Sequence, residues 1–122
     1  MDTRSKILTA ETAPRACTVV AGAFDLVLAA DARELAEIRA RYRERHLLVV
    51  VLPLPEALLP ERARAELVAA LRMVDYVVIA PDAAATDALL AALEPSHLVR
   101  LEAAHAERKR QLMEHVHRRQ TS

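Results

Sequence analysis

Residues 19 to 38 read VVAGAFDLVLAADARELAEI, and in that order they suggest a strand, a turn and a helix. The β-branched run at Val19 and Val20 closes on Gly22, the only glycine in the chain. Glycine is used where the backbone needs a positive φ or must approach another group closely, so Gly22 marks the turn. Beyond it, Asp31 and Glu34 have the spacing of a capping box, which places a helix start at Asp31. Leu35, Ile38 and Tyr42 then recur on one helical face, while RARYRER (39 to 45) supplies a mostly charged one.

The pattern repeats along the chain. Four apolar runs, ACTVVAG (16 to 22), HLLVVVL (46 to 52), VDYVVIA (74 to 80) and SHLVRL (96 to 101), alternate with segments of helical periodicity. Such alternation is the mark of βαβ units, and continuously apolar runs are those of strands covered on both faces. A second helix follows Pro60, with Leu67, Val68 and Leu71 facing inward. A third, TDALLAAL, stops at Glu94 before Pro95, and a last one runs from about Glu102 to Arg119 with Leu112, Met113 and Val116 as its apolar stripe. PLPEALLP (53 to 60) is a stiff, proline-rich connection. The expected fold is α/β: a parallel sheet of about four strands, ordered 2-1-3-4 and flanked by helices. Ligands bind such sheets at the carboxyl ends of the strands, beside the reversal of strand order. That order would bring together Gly22, Phe24 and Asp25 with Pro81 and Asp82.

Composition sets the limits. At 122 residues, 53% hydrophobic and 28% charged, the chain suits a single globular domain spanning 1–122. Lysine and arginine (17) balance aspartate and glutamate (17), which argues against nucleic acid or an anionic membrane as partner. From His97 onward the balance tips: six basic side chains face three acidic ones, with four of the five histidines. Cys17 is alone, so neither an internal disulfide nor a cysteine zinc cluster can form. The N-terminus lacks a signal-peptide core and no apolar run reaches spanning length, so the expected location is cytoplasmic.

Several blocks in order resemble the cytidylyltransferase-like nucleotidyltransferases, most closely the heptose-phosphate adenylyltransferase domain of ADP-heptose synthase. SKILTAE (5 to 11) resembles the family's lead-in. GAFDLVLAADARELAEIR (22 to 39) is similar to its G-x-F-D-x-x-H-x-G-H turn and first helix. RAELVAALRMVDYVVI (64 to 79) is similar to the block in which a helix opened by arginine leads into V-D-Y-V-V, and LEPSHLVRL (93 to 101) to K-P-D-x-L-V-K-G. The resemblance implies a Rossmann-like fold and attack of a sugar- or polyol-phosphate oxygen on a nucleoside triphosphate, with Mg2+ and pyrophosphate release. It makes Gly22, Phe24, Asp25, Arg64 and Arg100 candidates for nucleotide or phosphate binding, adds Lys109 and Arg110 as candidates by their position in the chain with no role carried over from the family, and permits a homodimer.

The departures fall on the chemistry. Leu28 and Asp31 stand where the family has its two histidines, and Ala30 replaces the glycine between them. Losing one preorganised donor costs about two to three orders of magnitude in rate, so losing both should nearly silence transfer. Only Arg100 keeps a charge at the lysine position after the fourth strand, and the family's later serine/threonine motif has no equivalent. No catalytic residue is assigned. The expectation is a protein that has lost catalysis and serves as a nucleotide or sugar-phosphate binding module or an interaction module. The alternative is a divergent active nucleotidyltransferase. Arg64 reads equally as a surface arginine near Glu61, Asp25 as a loop residue bonding backbone donors, and Asp31 as a helix cap. No metal site is expected: Asp31 shows no partner at metal-ligand spacing, and His115 and His117 point to opposite sides of a helix.

Overall fold

The computed structural model describes residues 3–25, 29–54 and 57–121. A short 3-10 turn at Thr3–Lys6 leads into β1 (Ile7–Leu8). Then follow β2 (Thr18–Gly22), α1 (Ala29–Arg41), β3 (Leu47–Val51), α2 (Glu61–Ala69), β4 (Tyr76–Ile79), α3 (Thr86–Ala92), β5 (His97–Arg100) and α4 (Glu102–Thr121). The fold is α/β and Rossmann-like, with helices flanking an all-parallel sheet of five strands in the order β1-β4-β3-β2-β5.

Both expected features of the sheet need correction. A fifth strand comes from the SKILTAE lead-in, where Ile7 and Leu8 pair with Val77 and Val78. Two residues carry no readable period, so the strand was invisible as one. The order also differs: the third apolar run (β4) lies beside the second (β3), not beside the first (β2). Leu35 and Ile38 of α1 share a core with Ala65, Val68 and Ala69 of α2, so both helices cover the same face. Right-handed crossovers on one face carry the strands in one direction, from β2 through β3 to β4. Leu90 of α3 packs on the other face with Val19, Leu48 and Val50, and this crossover returns the chain past β2. The reversal therefore lies between β2 and β5.

Alternation along each strand divides the core in two. Val20, Leu47, Val49, Val51 and Val77 face α1 and α2, while Val19, Ala21, Leu48, Val50 and Val78 face α3. The expected inward residues of α1 hold, with Leu35 and Ile38 buried and Tyr42 packed beside them. In α2 the inward face is Arg64, Ala65, Val68 and Ala69, and Leu67 is exposed. Apolar character alone had pointed Leu67 inward, but the period set by Ala65, Val68 and Ala69 turns it away. The same holds in α4: Met113 and Val116 are exposed and Leu112 half-buried, whereas His105 is buried. α3 ends as expected, with Glu94 at φ 46° after the helix. Of the stiff connection at 53 to 60, residues 55 and 56 lie outside the described residues. Among the described residues, no helix is long and apolar enough to cross a membrane.

Candidate functional site

The turn after β2 is held from three directions. Gly22 has no positive φ, so it is required for space. A Cβ placed on it would lie 2.6 Å from Cε1 and 2.7 Å from Nδ1 of His105, and 2.9 Å from Cε2 of Phe24. The left-handed backbone falls instead on Phe24, at φ 49°, an uncommon position for an aromatic residue. Its ring meets the His105 imidazole edge-on at 4.5 Å, and its N–H donates to His105 Nδ1 at 3.4 Å.

Asp25, 4% exposed, collects three elements. Its carboxylate accepts from the N–H groups of Leu58 (2.8 Å) and Leu59 (3.0 Å) in the loop after β3, and from Lys109 Nζ of α4 at 2.5 Å. Burial by itself would raise its pKa, but the Lys109 ammonium and the two backbone donors outweigh this and hold the carboxyl below its ordinary value. Arg64, 1% exposed, lies behind the turn, where Nη1 donates to the carbonyls of Ala23 and Leu52, both at 2.8 Å. It is neither a surface arginine nor a partner of Glu61: it ties the end of β2 to the end of β3.

α1 begins at Ala29, so Asp31 sits within its first turn and not before it. Its carboxylate, 3% exposed, meets α4: Arg108 Nη1 donates to Asp31 Oδ1 at 2.5 Å and Nη2 to Glu34 Oε1 at 2.9 Å. Asp31 is thus not the residue that precedes the helix, and its carboxylate forms an ion pair that joins α1 to α4. Leu28, the position matching the first histidine of the resemblance, lies outside the described residues.

These contacts surround a cavity of about 510 Å³ at the carboxyl ends of β2 and β3, roofed by α4. Apolar surface comes from Phe24, Leu52, Leu54 and Met113 among others, and charge from Asp25, Asp31, Glu102, Arg108, Lys109 and Arg110. Three acidic groups therefore meet three basic ones. His105 adds no charge at neutral pH, because burial holds its imidazole below the ordinary pKa against the opposing pull of Asp31 and Glu34.

Of the expected site residues, Phe24, Asp25, Lys109 and Arg110 line this cavity, Gly22 lies under His105, and Arg64 braces the wall. Arg100 is not among the lining residues; it pairs with Asp87 at 2.9 Å and Glu102 at 3.1 Å. Pro81 and Asp82 drop out with the corrected strand order, and Asp82 instead accepts from the N–H of Ala85 at the start of α3. His105 and Arg108 were not foreseen. A signal existed, since residues 105, 108 and 109 fall at i, i+3 and i+4 on one helical face, as polar residues turned inward would. No protein-family model and no curated protein matches the chain.

Proposed function

We propose that the chain is a nucleotidyltransferase-superfamily domain that has lost nucleotidyl transfer and binds a small ligand in the cavity beneath α4. The observation that carries this reading is the neutralisation of the cations that a triphosphate would need. Lys109 is held by Asp25 and Arg108 by Asp31 and Glu34, so the protein's own carboxylates stand where ligand phosphates would lie. A triphosphate entering this space would have to displace buried, hydrogen-bonded pairs and would leave carboxylates uncompensated.

Arg110 differs from the other two. Its partners Glu107 and Glu114 lie on its own helix, and all three side chains are about half exposed. Exposed pairs of this kind contribute little, so Arg110 can be given to a ligand at small cost. Among the described residues that line the cavity, Arg110 is the cation most easily given up, and together with the apolar surface of Phe24, Leu52 and Leu54 it fits a ligand with a base or sugar and a single phosphate. The nucleotide or sugar-phosphate module is therefore favoured over the divergent active enzyme.

Two measurements test this. Incubation with nucleoside triphosphates, Mg2+ and sugar phosphates should release no pyrophosphate. In thermal-shift titrations, nucleoside monophosphates or sugar phosphates should raise Tm more than triphosphates, since a ligand at 100 times its Kd adds about 2.7 kcal/mol. Pyrophosphate release, or a preference for triphosphate, would remove the reading.

A further inference from the structure

Where α4 crosses α1, three potential metal ligands converge from distant parts of the chain. One oxygen each of Asp31 and Glu34 and one nitrogen of His105 all lie within 4.8 Å of one another. Asp31 and Glu34 are one turn apart on α1, and His105 comes from the first turn of α4. Nε2 of His105 is 3.4 Å from Asp31 Oδ1 and 4.0 Å from Glu34 Oε1. A tetrahedral divalent ion at its usual bond lengths sets its ligand atoms about 3.4 Å apart, so a small closure of α4 on α1 completes the set.

The imidazole is the independent sign. His105 is 8% exposed, and its Nε2 is buried without a hydrogen-bond partner although two carboxylates lie within 4.0 Å of it. We infer that Asp31, Glu34 and His105 form a binding site for a borderline divalent transition metal such as Zn2+, with one coordination position open to the cavity. One imidazole with two carboxylates suits Zn2+, Co2+ or Mn2+, and not Mg2+ or Ca2+, which favour oxygen ligands throughout. Asp31 and His105 both line the cavity, so the open position faces the space assigned to the ligand.

Arg108 is the internal competitor. Its guanidinium donates to the two oxygens, Asp31 Oδ1 and Glu34 Oε1, that the metal would take. Its side chain is 28% exposed and has room to swing into the cavity. Metal entry thus exchanges one cation for another on the same carboxylates. It also moves a proton: the Phe24 N–H bond to Nδ1 leaves the ring hydrogen on Nε2, whereas coordination through Nε2 puts it on Nδ1 and gives up that long bond.

The experiment is calorimetric titration of the untagged full chain with Zn2+, followed by visible absorption with Co2+ and imidazole nitrogen resonances with Zn2+. Expected are one equivalent bound, a tetrahedral Co2+ spectrum, and a His105 tautomer change on binding. Asp31→Asn and Glu34→Gln should weaken binding at least about tenfold, and Arg108→Gln should tighten it by a similar factor. His105→Gln adds a fourth comparison where circular dichroism shows it folded. His115→Ala/His117→Ala should bind as the parent does. Absence of binding in both the parent and Arg108→Gln overturns the site, and so does binding that Asp31→Asn and Glu34→Gln leave intact. Neither result bears on the phosphate-ligand titrations, so the two readings fail separately.

Discussion

Replacing Gly22 by alanine tests the packing of the site most directly. Its backbone φ is one that alanine adopts freely, so the loss of unfolded-chain entropy alone would stabilise the protein by about 0.4 to 1 kcal/mol. Against this, the new methyl would sit 2.6 Å from His105 Cε1 and 2.9 Å from the Phe24 ring. Neither neighbour yields freely: the Phe24 backbone is in a left-handed conformation, and His105 can retreat only toward the cavity, breaking its bond from Phe24 N–H. Overpacking of this type costs about 1 to 3 kcal/mol, so mid-range values of about 2 kcal/mol of cost and about 0.7 kcal/mol of gain leave a net destabilisation of about 1.3 kcal/mol. Denaturant unfolding should show a lower midpoint with an unchanged slope, and Tm should fall by about 4 to 8 °C. The double variant Gly22→Ala/His105→Ala gives the sharper reading. Because the clash involves His105, the two substitutions should be non-additive by at least about 1 kcal/mol. A Gly22→Ala protein as stable as the parent, or strict additivity with His105→Ala, would refute the close-approach explanation of this glycine.

Other predictions concern the buried polar anchors. Asp25→Asn should cost about 2 kcal/mol, since it removes the charge that holds the Lys109 ammonium while an amide oxygen still accepts from the loop; chemical denaturation would measure it. The lowered pKa of Asp25 means that the unfolded chain binds its proton more readily. The carboxylate's contribution is therefore complete above about pH 4 and is lost as pH falls below that, and Asp25→Asn should flatten this acid limb in pH-dependent melting. Arg64→Leu should destabilise by about 2 to 4 kcal/mol by stranding the carbonyls of Ala23 and Leu52, and Arg64→Lys should recover only part because an ammonium is more strongly hydrated and costs more to bury. Leu67→Lys should change stability by less than about 0.5 kcal/mol, since this leucine is exposed.

The four longer strands and the inward face of α1 were legible, because unbroken apolar runs such as Val19 to Ala21 mark strands covered on both faces and the helical period survives in Leu35 and Ile38, whereas the inward faces of α2 and α4 were not. Strand order was less so. Periodicity tells which side chains are buried but not on which face a crossover helix lies, and that face decides where the sheet reverses. Arg64 shows another limit: a long basic residue on a helix reads as solvated, and the need for a buried donor arises only when the ends of β2 and β3 each present a carbonyl to it. Asp31 and Glu34 had correct spacing for a cap, yet the same spacing gives one helical face, and α4 supplies the cation that uses it.

The order of the strands also bears on how the protein folds. β1, β3 and β4 join β2 through connections within the first two thirds of the chain, whereas β5 is added beside β2 from the last third, in a register that runs from Thr18 opposite His97 to Ala21 opposite Arg100. β5 is an edge strand and mostly exposed, so β5 and α4 should dock last and open first, which hydrogen exchange at Val99 and Leu101 against Val49 would show. Because α4 supplies His105, Arg108 and Lys109, the cavity comes into being only with this final docking. Completion of folding and formation of the cavity are then a single event, and a ligand of the proposed kind beneath α4 would slow the first step of unfolding.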